Sequence, residues 1–88
     1  MISSKDKREI IRLAKKYKIS SVHLFGSSLS SPIAHDIDLG VKGIKPRLFF
    51  ELYGELLMRL SKPIDLVDLS VKSRFNSLIE KNSVKIYG

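Results

Sequence analysis

Three aspartates give the sequence its clearest chemical pattern. Asp36 and Asp38 lie one residue apart in the segment DIDLGV, and Asp65 lies in a similar segment, PIDLVDL. Side chains alternate between the two faces of a strand, so a strand over residues 36–41 would direct the first two carboxylates to one side. Two neighbouring carboxylates repel each other unless protons or cations relieve the repulsion. Oxygen ligands of this kind suit Mg²⁺ or Mn²⁺.

The residues before this pair are suited to binding an anion. A β-rich run, residues 22–25, ends at Gly26, and Ser27 follows in a stretch of small, turn-forming residues. Glycine lets the backbone approach a bulky anion, and amide groups at a following helix start can bind phosphate. Because a serine hydroxyl adds a donor, we expect Gly26 and Ser27 to bind phosphate beside the aspartates.

Each aspartate also has an ordinary explanation, since a lone Asp-x-Asp is more often a pair on an edge strand that faces water. Asp65 falls within an apolar strand, where an ionised group needs an open face or a cation. Asp68 raises the same question, but alternation places it on the opposite face or past the end of the strand. The repetition of Asp between Ile and Leu, with Gly-Ser nearby, favours a shared site.

The two histidines are weaker candidates. His35 adjoins Asp36 and would be within reach of phosphate or metal, but we interpret it as a solvated loop residue because Mg²⁺ prefers oxygen. His23 would share a strand face with Phe25, and we interpret it as structural.

Composition restricts the class of protein. The 88 residues predict a single domain, 1–88, with a modest core and room for one site. The absence of cysteine excludes disulfides and thiolate metal sites. No apolar run approaches the roughly 20 residues of a membrane span, and the charged N-terminus lacks the apolar core of a signal peptide. We therefore expect a cytoplasmic protein without membrane association.

The charge is strongly basic. Sixteen Lys and Arg residues face nine Asp and Glu residues, which gives a net charge of +7. Three of the nine acids are the aspartates above, so the remaining surface is still more basic. Such a surface attracts polyanions, and a nucleoside triphosphate or RNA would be a suitable ligand.

Hydrophobic periodicity predicts alternating helices and strands. The last helix is predicted from an apolar stripe of Val71, Phe75, Leu78 and Ile79. The predicted helices cover residues 4–17, 46–61 and 71–81, and the predicted strands cover residues 22–25, 36–41, 64–69 and 83–87. The resulting fold class is α/β (α+β), a small mixed sheet packed against helices on one face.

The succession of LFGS, DIDLGV and a distant IDLVDL resembles the DNA polymerase beta-like nucleotidyltransferases. It is most similar to their smallest members, the minimal nucleotidyltransferases that are paired with HEPN-domain toxins in toxin–antitoxin systems. The resemblance covers nearly the whole chain. It implies that Asp36, Asp38 and Asp65 bind the metal ions and that Gly26 and Ser27 hold the triphosphate. Asp65 fits better than Asp68, because the third aspartate of the family opens its strand.

The activity implied by the resemblance is transfer of a nucleotide, AMP from ATP, to a hydroxyl group of a HEPN-domain toxin, with Mg²⁺ or Mn²⁺ as cofactor. A hetero-oligomer with that toxin is implied as well. The sequence departs from the family where Ser30 and Ser31 replace the usual Arg and Gly.

Two other hypotheses stay open at this point. One is an antitoxin with a decayed site that acts by binding alone, and the other is an RNA-binding module that uses the basic surface. Three converging aspartates favour the enzyme. The three Tyr and four Phe residues fall mostly on helix stripes, which argues against the stacking platforms of single-strand binders.

Overall fold

Helices and strands alternate in the computed structural model, which describes residues 2–26 and 36–88. The helices are α1 (Ser4–Lys16), α2 (Phe49–Arg59, preceded by a 3-10 turn at Pro46–Leu48) and α3 (Arg74–Lys81). The strands are β1 (Ser21–Phe25), β2 (Ile37–Lys42), β3 (Ile64–Asp68) and β4 (Val84–Tyr87). This is the predicted order, and it confirms the short last strand. In the described part of the chain, no helix has the length and apolar character needed to cross a bilayer.

The sheet has the order β3-β2-β1-β4. Strand β1 is antiparallel to both β2 and β4, whereas β2 and β3 are parallel. Parallel neighbours need a crossover connection, and α2 provides it between β2 and β3. This topology brings the C-terminal end of β1 and the N-terminal ends of β2 and β3 to the same end of the sheet.

One face of the sheet forms the hydrophobic core with α1 and α2. Leu24 and Leu39 face each other across β1 and β2 and are almost fully buried. Leu13 of α1 and Leu52 of α2 belong to the same cluster, with Leu56 one turn further along α2. The predicted mixed sheet packed against helices is confirmed.

Helix α1 is anchored at both of its ends by polar contacts. Ser3 caps the helix, because its hydroxyl accepts a hydrogen bond from the amide of Asp6 at 3.1 Å. The Asp6 side chain is buried, and its carboxylate accepts hydrogen bonds from both the amide and the hydroxyl of Ser61. At the other end, Glu55 of α2 accepts hydrogen bonds from Lys16 and Tyr17. These contacts fix α1 against α2 above the sheet.

Helix α3 lies toward the opposite face. Lys42 and His23 alternate away from the core side, and they contact Glu80 and Ser83 at the C-terminal end of α3. Gly40, which shares this face, lies against the side chain of Leu69. One end of the second face is therefore covered.

The predicted apolar stripe of the last helix is wrong in part. Ile79 is buried, but Val71, Phe75 and Leu78 are 59, 68 and 60% exposed. Asn76 donates hydrogen bonds to the carbonyl groups of Asp68 and Val71, which holds Val71 in the turn before α3. The helix begins only at Arg74, so Val71 lies outside it, whereas Phe75 and Leu78 lie on a side of α3 that no other described element covers.

Candidate active site

The candidate site lies where β1 ends and β2 and β3 begin. Asp38 of β2 is in register with Phe25 of β1 on one side and with Asp65 of β3 on the other. Adjacent strands lie about 4.8 Å apart, and residues in register place their side chains on the same face. The carboxylates of Asp38 and Asp65 are therefore neighbours on one face of the sheet.

This face is the one opposite the core at the end that α3 leaves uncovered. Asp65 is exposed and Asp38 is half-buried, whereas Ile37 and Leu39 point into the core and are 2 and 0% exposed. The alternation that the sequence predicted for β2 thus separates anchoring side chains from carboxylates.

Asp36 lies at the same end of the sheet, directly before β2, and it is exposed. Two residues of chain span at most about 7 Å, so the Cα atoms of Asp36 and Asp38 lie within that distance of each other. Within residues 2–26 and 36–88, no three carboxylate or imidazole groups are gathered closely enough to hold a metal ion as they stand. The structure therefore brings Asp38 and Asp65 together, and a common metal site that includes Asp36 stays a prediction.

Gly26 follows β1 directly and lies against the side chain of Asp38, on the side of β2 away from β3. Its φ of +68° lies in the left-handed region, which glycine adopts without strain. A Cβ atom added there would collide with Oδ2 of Asp38. Both the backbone conformation and the close approach to Asp38 therefore require glycine. Ser27, Ser30, Ser31 and His35 lie outside the described residues, so the expected role of Ser27 stays a prediction.

Asp68 has a different task from Asp65. It is in register with Val41, and its Oδ1 accepts a hydrogen bond from the amide of Ser70 at 2.9 Å. Three residues of strand place it about 10 Å from Asp65. Asp68 therefore stabilises the turn after β3, and the choice of Asp65 as the site residue stays a prediction.

His23 is a structural residue. It is buried, with Nε2 2.9 Å from the hydroxyl of Ser21 and Nδ1 3.3 Å from that of Ser83. Burial lowers the pKa of the His23 imidazole below its usual 6.5, and the nearby carboxylate of Glu80 opposes this effect in part. The ring thus lies between two hydroxyl groups, and along the sheet it is two residues away from the position of Asp38.

Sequence reasoning missed two polar groups that shape the protein around the site. The role of Asp6 could not be predicted from a sequence motif, because its partner Ser61 is far away in sequence and is recognisable only in the folded chain. Glu55 is likewise paired across two helices, and hydrogen bonds from Lys16 and then Tyr17 lower its pKa. Both carboxylates have protein partners, whereas Asp65 is exposed and has no partner among residues 2–26 and 36–88.

Comparison with known proteins identifies the family to which this fold belongs. The family model described as polymerase beta, nucleotidyltransferase, matches residues 8–88. No curated protein matches the chain. Among solved structures, a toxin–antitoxin complex with AMP-PNP contains a chain of 26% identity and TM-score 0.75, matched over 93% of this chain and 73% of that one.

A second solved structure is that of the tri-AMPylated HEPN toxin of Shewanella oneidensis in complex with its MNT antitoxin. It matches with 26% identity and TM-score 0.73 over 94% of this chain and 70% of that one. An MntA–HepT toxin–antitoxin complex matches in fold, with 24% identity and TM-score 0.74 over 98% of this chain and 73% of that one. The family model covers nearly the whole sequence and the folds agree, so this chain belongs to the polymerase beta nucleotidyltransferase family.

Proposed function

We propose that this chain is an antitoxin that transfers AMP from ATP to a hydroxyl group of a HEPN-type toxin. The observation that carries the proposal is the register of Asp38 with Asp65 beside Gly26. The family supplies the reaction class. One similar structure contains AMP-PNP and another contains an AMPylated HEPN toxin with its antitoxin, which supports the choice of nucleotide and acceptor.

The donor set fits Mg²⁺ or Mn²⁺. Carboxylate oxygens are hard ligands, and Mg²⁺ usually takes one or two of them together with water and substrate phosphates. Asp38 and Asp65 are neighbours on one face of the sheet, Asp65 is exposed, and Asp36 lies at the same end of the sheet. These three residues would hold the ions. When bound, the metal ions would lower the pKa of the attacking hydroxyl and neutralise charge that develops on the triphosphate.

The chain itself contributes positioning. Ile37, Leu39 and Ile64 are buried beside the carboxylates, so the strands that carry Asp38 and Asp65 are fixed by the core. Gly26 leaves the edge of β1 free of a side chain, which allows phosphate to approach the backbone. Fixed placement of reacting groups can supply a large part of a rate enhancement.

The proposed reaction is a substitution at the α-phosphorus of ATP. The acceptor hydroxyl oxygen forms a bond to that phosphorus while the bond to the bridging oxygen of the β-phosphate breaks. Pyrophosphate leaves, and the hydroxyl proton passes to water. No oxidant or reductant is required.

The test is a labelling experiment with the native complex. The chain is purified with its natural partner and incubated with Mg²⁺ and with ATP that is labelled at the α-phosphate. The label incorporated into protein and into RNA is then measured. We expect the partner protein to become labelled by the wild type and by Asp68→Asn, but not by Asp38→Asn. The Asp68→Asn variant is the matched control, because an amide oxygen still accepts the Ser70 hydrogen bond.

The other hypotheses predict different outcomes of this experiment. A stable complex in which neither protein nor RNA is labelled by the wild type would indicate an antitoxin that acts by binding alone. Label on RNA instead of protein would move the acceptor from a toxin to a nucleic acid. Equal labelling of the partner by the wild type and Asp38→Asn would contradict the proposed site.

A further inference from the structure

Helix α2 is apolar on two sides. Its inner side, with Leu52 and Leu56, belongs to the core. A second row of residues lies on the outside at positions i, i+4, i+7 and i+8, which share one helix face. We refer to this row as the outer stripe, and it consists of Phe50, Gly54, Leu57 and Met58. Phe50, Leu57 and Met58 are 78, 47 and 88% exposed. A contiguous row of large exposed apolar side chains is typical of an interaction surface.

Two details suit the outer stripe to close packing. The ring of Phe50 lies edge-on against that of Phe49, with the centroids 5.4 Å apart, so part of its freedom is already lost before any partner binds. A Cβ atom added to Gly54 would meet nothing within 4 Å, so packing within the described residues does not require glycine here. The missing side chain instead forms a groove between Phe50 and Met58, into which a ridge of a partner helix fits.

The charges around the outer stripe argue against a second copy of this chain as its partner. Arg47 precedes the helix, Arg59 is its last residue and Lys62 follows it, while Glu51 offsets part of this charge. In the described part of the chain, none of these residues takes part in an ion pair. A second copy would oppose bases to bases and add another net charge of +7. A partner with carboxylates around an apolar helix face is complementary.

The outer stripe is connected through Tyr53 to β3, the strand that carries Asp65, although α2 lies on the core face of the sheet and Asp65 lies on the opposite face. Tyr53 lies between Phe50 and Leu57 on the helix, and its hydroxyl donates a hydrogen bond to the carbonyl of Ile64 at 3.4 Å. The next residue is Asp65, on the strand at the end of the sheet order. A specific interface buries about 800 Å² on each partner, which is more than three side chains supply. A partner seated on the stripe therefore extends onto neighbouring surface, and because β3 is the edge strand of the sheet, a partner that passes around β3 reaches Asp65.

We infer that the outer stripe docks an amphipathic helix of the protein that receives the nucleotide. The helix presents an apolar face between carboxylates, and its binding places the acceptor hydroxyl near Asp65. This inference rests on the proposed function for the identity of the partner, while the docking surface itself is argued from exposure, charge and position.

The first test is site-specific crosslinking in the cells from which the chain comes. A photoreactive benzoylphenylalanine replaces Phe50 in one version of the full chain and Phe75, which is 68% exposed on α3, in the control. We expect position 50, and not position 75, to crosslink to a helical peptide of the protein that carries added AMP. A crosslink from position 50 to a second copy of this chain, an equal crosslink from position 75, or none from position 50 would overturn the inference.

The second test uses paired substitutions in the purified complex. Phe50→Ala with Met58→Ala should lower the affinity for the partner at least about tenfold, whereas Phe75→Ala with Leu78→Ala should leave it within about twofold. In labelling assays, the KM for the protein acceptor should rise while the KM for ATP is unchanged. All four side chains are exposed, so the thermal stability of both variants should match that of the wild type.

The two proposals can fail separately. If Asp38→Asn abolishes transfer but the Phe50/Met58 variant binds the partner as well as the wild type does, the docking surface is wrong and the proposed function stands. If position 50 crosslinks to the partner and the variant loses affinity while no AMP is ever transferred, the docking surface stands and the proposed reaction is wrong.

Discussion

The two faces of strand β2 differ in what they tolerate. On one face Ile37, Leu39 and Val41 are buried against the helices. On the other, Asp38 adjoins Asp65 and Gly26, while Gly40 receives the side chain of Leu69. One set of residues of β2 thus packs into the core, and the alternate set places a carboxylate in the candidate site. Substitutions one position apart along β2 should therefore separate stability from activity.

Breaking the core face should have the largest effect on stability. Leu39 is fully buried. Leu39→Ala should lower the free energy of unfolding by about 3 kcal/mol, because it removes apolar contacts and leaves a cavity. Urea denaturation of the wild type and the variant measures this difference. A loss below about 0.5 kcal/mol would show that β2 does not anchor the sheet as described.

Substitution of Gly26, in the turn after β1, should affect stability less than Leu39→Ala does. Gly26→Ala should cost about 1–2 kcal/mol, because alanine is strained in the left-handed region. Its Cβ would also displace the carboxylate of Asp38, so the folded variant should lose AMP transfer. Thermal unfolding and the labelling assay, performed on the same sample, separate the two effects. Full activity in a stable Gly26→Ala variant would contradict the close approach.

The covered end of the second face should produce a smaller, pH-dependent effect. Burial lowers the pKa of His23 in the folded state, so the unfolded chain takes up this proton first as the pH falls below about 6.5. Stability should be fully present above that pH and decline below it, by at most about 1.4 kcal/mol per pH unit for one group. Denaturation at pH 7.5 and 5.5 measures the decline. In His23→Gln it should be reduced, and an unchanged decline would assign it to another group.

The sequence was sufficient to predict the separation of the two faces. Alternation in DIDLGV assigns isoleucine and leucine to the core and the aspartates to the other side, because strand geometry leaves no other arrangement. The same argument placed Asp68 away from Asp65. The order of helices and strands followed from periodicity in the same way.

The remaining features depend on contacts between distant segments. Alternation within one strand cannot specify that Asp38 is in register with Asp65, because β2 and β3 are distant in sequence and are joined through α2. The exposure of Phe75 and Leu78 was mispredicted for a related reason. Periodicity shows that a helix has an apolar side, but not whether another element covers it.

The most direct test of the proposed site compares Asp65→Asn with Asp68→Asn. Both substitutions remove one carboxylate from the same strand, but only Asp65 adjoins Asp38. The rate of AMP transfer to the native partner is measured by mass spectrometry, with circular dichroism as a check of folding. We predict a loss of at least about a hundredfold for Asp65→Asn and less than about threefold for Asp68→Asn. A folded Asp65→Asn variant with the transfer rate of the wild type would contradict the account.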